Sequence, residues 1–88
     1  MKLLTAARAF MAARFPNLFE EPILRERLNR SGAMDSPVTA EALSSALSTL
    51  ARMRDAECQV DPDGTAAWGA TPHGVAAWRE QGSPRVGG

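Results

Sequence analysis

The side chains able to carry chemistry in this 88-residue chain are few and scattered. The one cysteine, Cys58, has no histidine near it in sequence, and the one histidine, His73, directly follows Pro72. A thiol nucleophile needs a base within hydrogen-bond reach. Cys58 therefore reads as a small buried hydrophobe, and His73 as a capping or exposed residue at a helix start. Asp61 and Asp63 share one short turn, which falls short of the about six to eight oxygens that calcium takes. The expectation is a protein that is not an enzyme and that carries no metal and no cofactor.

A different chemistry sits between residues 39 and 54. Glu41, Ser44, Ser45, Ser48 and Arg52 recur at helical spacing opposite Leu43, Ala46, Leu47, Leu50 and Met53, with Thr49 at the edge. Serine and threonine weaken an isolated helix because their hydroxyls compete for backbone hydrogen bonds. Hydroxyls and guanidiniums on one helix face do suit base edges and phosphates. The same face also reads as a solvated polar surface.

Those residues need elements to hold them. Leu3, Leu4, Ala7, Phe10 and Met11 mark an amphipathic first helix over residues 2 to 14, with Lys2 and Arg8 elsewhere on the cylinder. Phe15-Pro16 ends it, since a residue before proline avoids the α region, and Leu18 and Phe19 are expected to plug the core. Glu20-Glu21-Pro22 opens a second helix, with Ile23, Leu24 and Leu28 inward, Arg25, Arg27 and Arg30 outward or sideways, and Gly32 as its left-handed stop. Asp35-Ser36-Pro37 is read as the cap and first turn of a third helix running to about Arg54. Asp61-Pro62-Asp63-Gly64 is a turn signal between two weak strands. Thr71-Pro72 caps a last helix to about Gln81, which Gly82 terminates. Trp68 and Trp78 are expected to pack the hairpin and last helix onto the core.

Composition bounds the function. Apolar residues make up 44%, but sixteen of them are alanine, so the core has few large side chains. A chain this short buries only about 60 to 65% of its unfolded surface, and dimerisation would support it. Lone Cys58 leaves no internal disulfide, which fits a reducing cytoplasm. Arg8 and Arg14 interrupt the apolar runs near the N-terminus, so neither a signal segment nor a membrane span is expected. Net charge is zero, without the basic surplus that marks many nucleic-acid binders. The charge is uneven: residues 1–19 sum to +3 and residues 57–65 to −3.

From Asp35 to Trp78 the chain resembles the recognition-helix-plus-wing segment of bacterial winged-helix regulators of the PadR and MarR kind. Ser36-Pro37 matches their helix start, Ala46-Leu47 with Leu50 the helix core, and Glu57 to Val60 the first wing strand. Asp63-Gly64 matches the charged turn, and Thr71-Pro72-His73-Gly74 the Thr-Pro-x-Gly start of the next helix. The resemblance implies a mainly α winged helix-turn-helix, with three helices, a β-hairpin wing and a C-terminal helix, over residues 1–82. Residues 83–88 are expected to form a flexible tail. It also implies a cytoplasmic transcription regulator that reads double-stranded DNA with helix three. The expected contacts are Arg30, Thr39, Glu41, Ser44, Ser45, Ser48, Arg52 and Arg54, in a homodimer joined through the first and last helices.

The wing departs from that pattern. It carries Thr65-Ala66-Ala67 where these regulators place basic residues, Asp55-Ala56 stands where a glycine commonly follows the recognition helix, and the link from Ser31 to Ser36 is long for a tight helix-turn-helix. A second expectation follows: a phage or mobile-element protein of the anti-CRISPR kind, using the fold to bind a protein through Glu57, Asp61, Asp63 and Trp68.

Overall fold

Leu3, Ala7 and Met11 line the buried face of α1, Lys2–Ala13, at spacings of four residues. In the computed structural model, which describes residues 2–32 and 34–81, five further elements follow. They are α2 (Glu21–Ser31), α3 (Ala40–Arg52), β1 (Ala56–Val60), β2 (Ala66–Ala70) and α4 (Pro72–Gln81). The expected tail over 83–88 and the stop at Gly82 lie outside the described residues. The fold is mainly helical with one antiparallel hairpin, a winged-helix-like arrangement as expected.

The three N-terminal helices close on a core of Met11, Leu24, Leu28, Leu43, Leu47 and Leu50. Burying each leucine contributes about 1.5–3 kcal/mol. Phe10, Phe19, Trp68 and Trp78 are partly buried against this cluster, with Phe10 and Phe19 edge-to-face at 5.2 Å between centroids.

Three of the expected inward side chains point out instead. Ile23 is 42% exposed in the first turn of α2, Met53 is 43% exposed beyond the end of α3, and Leu18 is 36% exposed. Leu18 lies over the hairpin, close enough that a Cβ on Gly69 would stand 2.6 Å from its Cδ2. Arg8 departs the other way: it is buried on α1 and donates to the buried Asp55 carboxylate.

Gly32 adopts the left-handed conformation expected of it, with φ of 71° at the end of α2. The start of α3 differs from expectation. Asp35-Ser36-Pro37 does not cap it; the helix begins at Ala40, and Thr39 is the N-cap, its Oγ1 accepting from the Ala42 N–H at 3.1 Å. The intervening residues are fixed by other bonds. The Val38 N–H donates to Asn29 Oδ1 at 2.6 Å, Val38 itself is buried, and Lys2 meets Asp35 at 3.2 Å. A cap-plus-proline signal marks a chain reversal as readily as a helix start, and burial of Val38 decides between them here.

The hairpin pairs Cys58 with Trp68 and Val60 with Ala66, and its turn closes through Gly64 at φ 92°. A further strand is reduced to one residue: the N–H and C=O of Phe19 and Trp68 exchange hydrogen bonds at 2.6 and 2.7 Å. β2 thus lies between β1 and Phe19, and this bridge ties the loop after α1 to the wing. Cys58, expected to be buried, is exposed, because β1 is covered only at Ala56.

Candidate nucleic-acid interface

The outward face of α3 carries Glu41, Ser44, Ser45, Ser48 and Arg52, all exposed. Its opposite face buries Leu43, Ala46, Leu47 and Leu50. The 13-residue helix is about 20 Å long, enough to span a duplex major groove about 12 Å wide. Ser44, Ser45 and Ser48 are small, so a partner's backbone can approach the middle of this face closely. Thr39 differs in role from the others: its hydroxyl is engaged as the N-cap.

Cations flank both ends of that face. Arg25 of α2 lines a small cleft with Glu21, Pro22, Ala40 and Leu43 at the start of α3. At the other end stand Arg52 and Arg54, both exposed. Among the described residues neither guanidinium meets a carboxylate. Arg30, also on α2, is held at 2.8 Å by Glu26 in an exposed pair one helical turn apart. It lines a wide groove with Arg25, Asn29 and Val38.

Arg54 stands out in its backbone. The Arg54 N–H donates to the Ala51 carbonyl and the Asp55 N–H to the Leu50 carbonyl, the paired bonds of a Schellman ending. Its left-handed position, φ 66°, is occupied by arginine, although glycine is the residue that adopts this conformation without steric cost. The sequence does not announce this, because the glycine of the resembling families is expected one or two residues later, at Asp55-Ala56.

Beneath this end of α3 lies a buried polar node. Asp55 is 2% exposed and accepts from Arg8 Nη1 at Oδ2, 3.2 Å away. Its Oδ1 lies 2.7 Å from His73 Nδ1. Thr71 Oγ1 donates to the Arg54 carbonyl and accepts from the Gly74 N–H. The node joins α1, the end of α3 and the start of α4, and so fixes where Arg52 and Arg54 stand. Thr71 caps α4 as expected, and His73, in the first turn, is exposed and carries the bond to Asp55.

The hairpin presents different chemistry. Glu57, Asp61 and Asp63 are exposed, and Asp63 Oδ1 accepts from the Thr65 N–H at 3.0 Å. The backbone and hydroxyl bonds from Thr65 hold the Asp63 carboxyl below its ordinary value of 3.8. Trp68 is half-buried and packs on the core. No described group of three or more His, Cys, Asp or Glu side chains is placed to hold a metal ion. No described helix is long and apolar enough to cross a membrane. Comparison with protein-family models, curated proteins and solved structures finds no match to the chain.

Proposed function

We propose that the protein is a double-stranded DNA-binding regulator that lays the outward face of α3 in the major groove. The observation that carries the reading is the bracketed polar face: Ser44, Ser45 and Ser48 lie open between Arg25 at one end and the uncommitted Arg52 and Arg54 at the other. Serine hydroxyls donate to or accept from any base edge, and arginines hold flanking phosphates and fix the register. Glu41 accepts from a cytosine amino group and sets a preference at one position.

The left-handed Arg54 supports the same reading. A residue held in a costly conformation is retained where its side chain serves a purpose, and a glycine there would remove a phosphate contact. The resemblance of residues 35–78 to PadR and MarR-type regulators agrees with it, and the reading carries a cytoplasmic location with it. The acidic hairpin is turned from the duplex in this arrangement, because Glu57, Asp61 and Asp63 repel phosphates.

Amide NMR with a mixed-sequence duplex tests the reading. Shifts confined to Glu41 through Arg54 and to Arg25 support it. Shifts centred on the hairpin, with α3 unmoved, reject it.

A further inference from the structure

The backbone of β1 offers an unused edge. Trp68 turns its N–H and C=O toward Phe19, away from β1, so the Cys58–Trp68 pair is one of the wide pairs of the antiparallel ladder. By the same alternation the N–H and C=O of Cys58 and Val60 point away from β2. Among the described residues no backbone or side-chain group meets them. Edge strands are blunted by short length, by charged side chains, lysine above all, by proline or by a bulge; residues 56–60 contain no lysine or proline, their one charge is Glu57, and their pairing with β2 is unbroken. Val60 is 65% exposed on this strand.

We infer that β1 is a docking edge for an extended basic segment of a partner protein, which adds as a further strand. Side chains alternate across a strand. Glu57, Gln59 and Asp61 therefore share one face, and Cys58 and Val60 share the other with Trp68. A strand that fits places Lys or Arg opposite Glu57 and Asp61, four residues apart on one face, and apolar residues opposite Cys58 and Val60. Its motif is cation, apolar, polar, apolar, cation, added antiparallel to β1 so that its two apolar residues exchange the ladder bonds with Cys58 and Val60. Charge selects this occupant over a second copy of the chain, since each hairpin carries three carboxylates and no cation between residues 57 and 65. Two such edges repel. The inference does not depend on α3 binding DNA.

The test is an NMR titration, without DNA, of the full chain with a capped peptide containing Lys-Val-Thr-Val-Lys. Saturable binding is expected, with the largest shifts and new exchange protection at the Cys58 and Val60 amides. Methylating both valine nitrogens removes the ladder bonds and abolishes it. Glu57→Lys with Asp61→Lys weakens binding about tenfold or more, and a Glu-Val-Thr-Val-Glu peptide restores it. The permuted Val-Lys-Thr-Lys-Val peptide, with its cations on the other face, binds about tenfold more weakly. Equal binding of the permuted or methylated peptide, or no binding at all, overturns the inference. So does a chain that dimerises through β1, since a second copy would then hold the edge.

Discussion

Arg8 in the first helix and Asp55 just beyond the third form a buried ion pair at 3.2 Å, across 47 residues of sequence. Removing one partner leaves the other charge in a place it was never solvated, which costs about 3–5 kcal/mol. Asp55→Ala is expected to destabilise by that amount, close to the whole stability of a small domain. The paired Arg8→Met, Asp55→Ala variant is expected to lose less than the sum of the single losses. Urea unfolding of the three variants measures both. His73→Ala removes only the second bond to Asp55, made by an imidazole that is itself 65% exposed, and should cost about 1 kcal/mol.

Gly74 packs α4 against this node. A Cβ there would stand 2.1 Å from the Asp55 carbonyl oxygen, a backbone atom that cannot swing aside. Gly74→Ala should therefore cost about 3 kcal/mol and displace the start of α4, read as a lower urea midpoint and as amide shifts at Asp55 and Thr71.

Arg54 separates stability from binding. Its left-handed φ of 66° costs a non-glycine residue about 1 kcal/mol, which Arg54→Gly relieves while adding unfolded-chain entropy. The variant should hold its Tm near the parent's or above it, and bind duplex less tightly. A large loss of Tm would mean that the side chain supports the fold.

The hairpin tip is expected to respond to acid. The Thr65 bonds favour ionised Asp63 and lower its pKa in the folded chain, so their contribution is present above the ordinary carboxyl value of 3.8 and is lost as pH falls through the lowered one. Carbonyl NMR of Asp63 should titrate below 3.8, and Thr65→Ala, which removes the hydroxyl bond, should move it upward.

Much of the architecture is legible in the sequence because it rests on local signals. Gly32, the Pro62-Asp63-Gly64 turn and the Thr71-Pro72 start are each satisfied within a few residues. What depends on distant partners is not legible. Arg8 looks like a surface cation until Asp55 arrives from across the fold, and Cys58 looks like core until β1 proves to be an edge. The Phe19–Trp68 bridge has no signature, since a one-residue strand has no period. The outward face of α3 was legible from its spacing. Arg25 as a flank, and Arg54 in place of a glycine, required the packing of α2 on α3 and the backbone geometry.

The central claim, that α3 and its flanking arginines bind a duplex, is tested most directly by duplex affinity as a function of salt. Arg25, Arg52 and Arg54 holding one phosphate each predict a log–log slope of about −3, and alanine at any one of them should reduce that slope by about 1. No binding at about 50 mM salt, where phosphate contacts are strong, or a slope unchanged in all three variants, would contradict it.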